Sequence, residues 1–547
     1  VAADRLVTRR APGAGGRERG TATHPAGARR ISPEAATLWL IALSGGLRFA
    51  AGKWAGLCYG ESYYFACAHH PSLGYFDHPP LSILLASGSL HLTGDVGRLI
   101  LRWPFIVLFA GTTWLLFVLG RKLFGGWPGF YAALLMNLAP VFSLSVGIFL
   151  QPDGPLMFFW LACVWCLAHL LLDASPRRPI TWWAAAGAML GLGLLSKYTA
   201  VLLVAGAGFH VLARRDQWRW LARPGPYLAL VIAALFFSPV LLWNHQHHWI
   251  SFAWQSTRGL DELQGIRLDW MLRNIGGQAL ELLPWLWLAL VAELWRSFRR
   301  RATPERRFIG WLAVVPIVLF TAVSAYAATG QRHFHWGMPG YLLLFLPLGD
   351  TVHRGLQQAR SVHRWGLAAT SVLSVLFMTV ITSHVATGWL KDGPGWLATA
   401  LAGEKDSTLE CVDLTSLERA FAERGLLDRP GLFVFSEWWF RAGKVDYALK
   451  GKLPVLALSS TDPRSFAFFD STERWVGKDG ILVTPRPSLA EVMGRYGDFF
   501  TRIEPLGSVP VGRSGRHEVT LYLYRCEGLK RPYPLPYGLS GPSAPGK

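Results

Sequence analysis

The chain has 547 residues, a formal net charge of +19, 51% hydrophobic residues and only 16% charged residues, with 26 tryptophans. Soluble chains carry roughly 25% charged residues. The composition therefore excludes an all-soluble, disordered, collagen-like or disulfide-scaffold protein and leaves a polytopic membrane protein with a soluble portion attached.

Residues 1–34 hold seven arginines and no apolar run, which predicts a disordered basic tail on the cytoplasmic side rather than a cleavable signal. Apolar stretches near 35–52, 102–120, 128–150, 155–172, 180–195, 198–213, 226–243, 280–295, 308–329, 336–350 and 365–388 predict about eleven membrane helices. The loops after alternate helices gather the base: Arg121 and Lys122, Arg177 and Arg178, Arg214 to Arg223, Arg296 to Arg307, and Arg354 to Arg364. The opposite loops carry Glu61, Asp77, Asp95, Asp153, Asp261, Glu262 and Asp269. The positive-inside rule makes the basic side cytoplasmic. The arginines then set topology, and nucleic acid is not a partner.

Beyond Trp389 the pattern changes. Short β-like runs (432–435, 453–458, 480–483, 519–524) alternate with helical stretches opened by Thr415…Glu418 and Ser488…Glu491. This predicts a small α/β domain over 400–530 on the outer face, followed by a flexible Pro-rich tail, 531–547. Cys163 and Cys166 lie inside an apolar helix and read as packing, whereas Cys411 and Cys526 in the outer domain are candidates for pairing.

Two outer loops, 53–101 and 244–279, are long enough to build a site; the second, with Trp249, Phe252, Trp254 and Trp270, suits an amphipathic helix in the interface. Glu61, Asp77 and Asp153 all fall on the outer face. An ionised carboxylate near hydrocarbon calls for a reason. Three together suit a site where one takes a proton from an acceptor hydroxyl and another orients a donor or binds a metal. The competing reading makes Asp153 a helix cap and Asp77 part of a Pro-rich turn. Lys197, between two apolar segments, either snorkels or meets an anion such as a lipid phosphate. Its Gly191-Leu-Gly193…Ser196-Lys197 setting lacks the ending and preceding strand of a nucleotide loop. His78, Arg258, Arg267 and Arg332 are further outer groups able to grip phosphate. Tyr63, Tyr64, Tyr75, His333 and His335 are expected to line the substrate. No cofactor is required by these motifs; a divalent metal is the one the residues allow, with Glu61, Asp153 and His78 as its ligands.

The motifs Glu61-Ser-Tyr-Tyr, Gly74-Tyr-Phe-Asp77-His78-Pro79-Pro80-Leu81, Gln151-Pro152-Asp153, Gly191-Leu-Gly193-Leu-Leu-Ser196-Lys197-Tyr198 and Pro239-Val-Leu-Leu-Trp243-Asn244 resemble glycosyltransferase family 39 of the GT-C superfamily. The nearest look-alikes are the bacterial RgtA/B/C/D-like members, related to protein O-mannosyltransferases and lipid A aminoarabinose transferases. The resemblance covers roughly residues 35–350. It implies an all-α polytopic GT-C fold, a transmembrane glycosyltransferase domain over 35–390, and a polyprenyl-phosphate-linked sugar as donor. It also implies an acceptor glycolipid, polysaccharide or protein reached from outside, inversion at the anomeric carbon, and residence in a bacterial inner membrane with the C-terminal domain periplasmic. The family's acidic pair falls on Gly60-Glu61, so the first acid, its proposed base, is missing; the base is then Glu61, Asp77 or Asp153, or the enzyme is impaired. That departure keeps a non-catalytic lipid-linked glycan carrier, or a membrane scaffold, as the alternative.

Overall fold

A computed structural model describes residues 31–257, 265–326 and 333–537; Arg258 and Arg332 lie outside the described residues. The first helix, α1 (Pro33–Trp54), starts inside the predicted tail because Ser32 accepts a hydrogen bond from the Ala35 amide and Pro33 takes the first turn. Then follow α2 (Tyr59–Ala68) and α3 (Leu81–Thr93) in the first outer loop, α4 (Arg98–Phe124), and α5 (Gly126–Leu138), which continues into a π-turn at Val141–Val146. Next come α6 (Asp153–Leu171), α7 (Pro179–Ser196), a 3₁₀ turn at Tyr198–Val201 leading into α8 (Leu202–Leu212), α9 (Pro224–Gln246) and α10 (Ile250–Thr257). The helical part closes with α11 (Leu268–Leu282), α12 (Pro284–Ser297), α13 (Pro304–Val323), α14 (Met338–Gln357) and α15 (Ser361–Thr387).

Each of the eleven predicted stretches contains helix. Among the described residues seven helices are long and apolar enough to cross a membrane (α1, α4, α6, α7, α9, α13 and α15), and an eighth span arises if α11 and α12 count as one. Those two are bent by 108°. Leu283 at the bend has φ +71°, and the following Pro284 disfavours a helical residue before it. Close approaches use glycine: a Cβ on Gly129 would meet the Gly120 carbonyl carbon at 3.2 Å, so α4 and α5 pack nearly backbone to backbone.

The outer part carries α16 (Gly395–Ala400), α17 (Ser416–Glu423), α18 (Trp439–Ala448), α19 (Phe466–Phe469) and α20 (Leu489–Tyr496). Its five strands are β1 (Phe433–Ser436), β2 (Val455–Ala457), β3 (Gly480–Thr484), β4 (Phe500–Arg513) and β5 (Arg516–Leu529). They form one sheet in the order β2-β1-β3-β5-β4, parallel at β2-β1-β3 and antiparallel at β3-β5-β4. β4 escapes the sequence pattern because Pro505, Gly507 and Pro510 interrupt it; it is an edge strand, where proline is tolerated. Ser488 caps α20 by accepting from the Glu491 amide, whereas Thr415 has helical dihedrals and makes no side-chain cap. The described part of the tail expected to be flexible is packed: Tyr537 stacks 4.3 Å from Phe76 and donates to Asp462.

The C-terminal domain is fastened to the loop between α1 and α4. Cys58 and Cys411 form a disulfide, while Cys526, expected as a partner for Cys411, is a free thiol on β5 buried in the sheet core. The pairing was not visible because Cys58 and Cys411 are 353 residues apart. Asp413 accepts from the Leu57 amide at 2.9 Å and from Arg98, and Lys444 donates to the carbonyls of Leu57 and Val412. A Cβ on Gly443 would lie 2.8 Å from the Tyr63 backbone, so α18 rests directly on α2. A cross-link closing so long a loop contributes about 2–4 kcal/mol. Cys58→Ser and Cys411→Ser are each expected to lower the thermal midpoint, with the double variant adding little, as read by thermal unfolding in detergent.

A second tie joins the end of α15 to the β4–β5 hairpin. Asp406 pairs with Arg513 (2.7 Å) and Lys391 (3.2 Å) and accepts from Thr408. Burial alone would raise its pKa, but the hydrogen bonds from Thr408, Lys391 and Arg513 outweigh that and hold it at about 2, against an ordinary 3.8. A depressed carboxylate pKa stabilises the fold above the unfolded value. This contribution is therefore expected intact above about pH 4 and lost as pH falls toward 2, a loss that Asp406→Asn removes from the acid-unfolding profile.

Candidate active site

One buried ion pair organises the outer entrance. Glu61 and Arg102 are both fully buried; Arg102 Nε donates to Glu61 Oε1 at 2.7 Å and its Nη2 to Oε2 at 2.5 Å. The same guanidinium reaches the carbonyls of Gly52, Ala55 and Gly56, at the end of α1 and just beyond it. Glu61 also accepts the amides of Cys58 and Leu150, each at 3.0 Å. Each oxygen of Glu61 thus accepts two hydrogen bonds, whereas each oxygen of Asp77 accepts one, from Tyr63 and from Arg464. A base must come within hydrogen-bond reach of the proton it removes, and a saturated carboxylate offers it no free lone pair, so the expectation of Glu61 as a base or metal ligand is corrected. It holds the first loop to α4 and fixes Leu150, three residues before Asp153. Arg102 was missed; its signal was an arginine inside an otherwise apolar stretch.

Asp77 is buried and held from three elements. Tyr63 Oη donates to its Oδ1 at 2.7 Å, Arg464 Nη1 donates to its Oδ2 at 3.1 Å, and His78 Nε2 lies 3.7 Å from Oδ2. Its backbone carbonyl accepts from Gln255 of α10 at 2.8 Å. Arg464 belongs to the outer domain and lies over the Trp439 ring at 3.7 Å. Ser465 beside it binds both Tyr63 Oη (2.7 Å) and the Phe76 amide (3.3 Å). No short-range pattern could reveal Arg464, because it is 387 residues from Asp77.

Asp153, the first residue of α6, accepts from Lys197 Nζ through both oxygens, at 2.9 and 3.0 Å. Lys197 is extended (φ −156°) and breaks the apolar run between α7 and the turn leading into α8. An ammonium has three donors, and two face Asp153. The Tyr64 ring packs edge-on against His78 at 5.4 Å, and both Asp77 and Asp153 act on its phenol electrostatically. Burial first, then the charge of Asp77, holds the phenols of Tyr63 and Tyr64 well above the usual range, so both remain proton donors. His335 and His78 reach Asp153 electrostatically, and His333 stacks on Trp336 at 4.6 Å.

The other expectations divide. Tyr75 folds back on its own loop, receiving the Ser72 amide and donating to the His70 carbonyl, and lines a cavity of about 370 Å³ together with Gly74, Trp243, His247, Ser465 and Phe468. Arg267 turns to Asp269 at 3.0 Å and to the Trp270 ring, on the exposed side of α11. Among the described residues no three His, Cys, Asp or Glu side chains group as metal ligands; Glu61 is closed off by Arg102, so Glu61, Asp153 and His78 do not make a ligand set. One carboxylate was overlooked. Glu281, at the α11–α12 bend, has a buried Oε2 with no hydrogen-bond partner and lies within electrostatic reach of Asp153. A glutamate inside a predicted membrane helix was its signal.

Residues 77–243 match the family described as dolichyl-phosphate-mannose-protein mannosyltransferase. The lipid A galacturonosyltransferase RgtD of Rhizobium johnstonii is 24% identical over 319 residues, covering 56% of this chain and 61% of that protein. The undecaprenyl phosphate-alpha-4-amino-4-deoxy-L-arabinose arabinosyl transferase 1 of Pseudomonas fluorescens is 24% identical over 286 residues, 49% of this chain and 48% of that one. The chain thus matches 61% and 48% of the length of these two curated relatives. ArnT from Cupriavidus metallidurans shares the fold at 16% identity, with TM-scores of 0.58 in the apo state and 0.56 bound to undecaprenyl phosphate, covering 90% of this chain and 98% of that one. The resemblance to glycosyltransferase family 39 and the GT-C superfamily is shown, and the architecture is that of a multi-span membrane protein with an ArnT-like fold.

Proposed function

We propose, from this place among GT-C proteins of the family 39 kind, that the chain is an integral-membrane glycosyltransferase that moves a sugar from a polyprenyl-phosphate donor to an extracytoplasmic acceptor. The observation that carries the reading is the two charge couples Asp153–Lys197 and Asp77–Arg464, with Tyr64 packed on His78 and within electrostatic reach of both carboxylates. The third ammonium donor of Lys197 meets the donor phosphate, whose lipid tail stays in the bilayer. Asp77 lies on the other side and takes the acceptor hydroxyl proton. The acceptor oxygen forms a bond to the anomeric carbon as the bond from that carbon to the phosphate oxygen breaks, its electron pair leaving on polyprenyl phosphate. Attack opposite the leaving group inverts the anomeric centre. Lys197 lowers the barrier by stabilising the growing phosphate charge. Tyr63 and Arg464 orient Asp77, and Glu61–Arg102 holds the first outer loop to the Leu150 segment before Asp153.

The names of the relatives support a lipid-linked donor, and their sources a bacterial setting, which with the apolar helices places the chain in a bacterial inner membrane on this reading. The Cys58–Cys411 disulfide supports placing the first loop and the C-terminal domain together outside the cytoplasm, with the N-terminus inside. Gly60 in place of the family's first acid favours a second reading, a non-catalytic carrier of lipid-linked glycans. Purified protein in lipid nanodiscs, incubated with labelled polyprenyl-phosphate sugars and envelope acceptors, separates the two: transferase activity yields glycosylated acceptor, whereas a carrier binds donor and leaves the acceptor unchanged.

A further inference from the structure

We propose that Arg464 selects an acceptor carrying an oxyanion, a phosphate or a carboxylate, beside the hydroxyl that is attacked. The inference rests on the transferase reading and adds to it the chemical class of the acceptor and the residue that reads it. An arginine guanidinium has five N–H donors. Here Nη1 reaches Asp77 Oδ2 at 3.1 Å, while Nε is buried with no hydrogen-bond partner, its nearest carboxylate oxygen, on Asp462, being 3.7 Å away. A buried donor without a partner is costly, and an arriving oxyanion would supply one.

The surroundings hold this guanidinium in place. Arg464 has φ +46°, a left-handed conformation that non-glycine residues rarely adopt. Pro463 before it restricts the chain, Ser465 after it is bound to Tyr63 and to the Phe76 amide, and the Trp439 face supports the planar head. The cation is thus fixed over the carboxylate that receives the acceptor proton.

Its contacts place the ligand on the acceptor and not on the donor. Arg464 is bonded to Asp77, which takes the acceptor proton, whereas Lys197, which meets the donor phosphate, is bonded to Asp153. The residue next to Arg464, Ser465, also walls the 370 Å³ cavity between the first loop, α9 and the outer domain, a recess of a size to receive a sugar.

The test uses the full chain in nanodiscs with one donor and three glycolipid acceptors: one bearing a phosphate, one bearing a sugar-acid carboxylate and one neutral. Arg464→Gln is expected to raise KM for one of the anionic acceptors about 10- to 100-fold, the range for a lost hydrogen bond to a charged group. Turnover should fall alike for all three acceptors, because Asp77 loses its partner, while KM for the neutral acceptor and the binding of plain polyprenyl phosphate stay within about twofold; Arg464→Lys should recover part of the KM loss. The acceptor whose KM rises names the oxyanion. A KM raised equally for all three acceptors, or for none, would show that Arg464 merely positions Asp77, and weakened polyprenyl phosphate binding would make it a donor contact; each overturns the proposal. Should Arg464→Gln fail to fold, the same comparison is read on Arg464→Lys, which keeps the charge and loses the planar fork. Wild-type protein that transfers to no acceptor would contradict the transferase reading instead.

Discussion

Asp77→Asn is expected to lower turnover by about 100-fold or more, the usual size of a positioned general base, with binding of polyprenyl phosphate little changed. The amide preserves the volume and can still accept from Tyr63 Oη, which donates to Asp77 at 2.7 Å, but it cannot take the acceptor proton. Lys197→Met should act on the other side of the reaction, weakening donor binding and lowering turnover together, because its ammonium meets the phosphate before and after the bond breaks. Single-turnover rates measured beside donor affinity separate these patterns. An Asp77→Asn protein that turns over within a few fold of the wild type would remove Asp77 from the chemistry and direct attention to Glu281, whose Oε2 has no partner at the α11–α12 bend.

Glu61→Gln and Arg102→Leu should behave differently, as stability variants first. Each removes one member of an ion pair with no exposed surface on either side chain, and breaking such a pair costs about 3–5 kcal/mol because the remaining charge stays buried. The thermal midpoint should fall in both, and the double substitution of Glu61 and Arg102 by apolar residues of similar size should recover part of the loss. The backbone partners of Arg102 at Gly52, Ala55 and Gly56 and of Glu61 at Leu150 mean that the loosened parts are the segment after α1 and the turn before Asp153. Full stability with selectively lost turnover in Glu61→Gln would restore Glu61 to the catalytic role its position in the family motif suggested.

Much of the architecture was legible because membrane helices announce themselves locally. A run of apolar residues with arginines beyond alternate ends needs no long-range information, and each predicted stretch contains helix. What failed locally also failed for local reasons: β4 carries prolines that only an edge strand tolerates, and the stretch expected as one helix over 280–295 begins in α11 and is broken by the bend at Leu283-Pro284. The site was legible in part. Asp77, Asp153 and Lys197 stood out as ionisable groups beside hydrocarbon, and the structure brings Lys197 onto Asp153 directly. It could not be read that Glu61 is sealed by Arg102, that Arg464 comes from the outer domain to Asp77, or that Cys58 bonds Cys411. Each of these joins residues that are 41, 387 and 353 positions apart, and periodicity within a window carries no record of such pairings.

The account stands most directly on stoichiometry at the membrane. With the protein reconstituted in sealed liposomes, its outer domain facing out, and a polyprenyl-phosphate-linked sugar in the bilayer, mass spectrometry of the lipids should show one polyprenyl phosphate released for every acceptor glycosylated, with the new bond of opposite anomeric configuration. Donor that crosses or binds the membrane intact, with no free polyprenyl phosphate formed beside any acceptor offered, would contradict it.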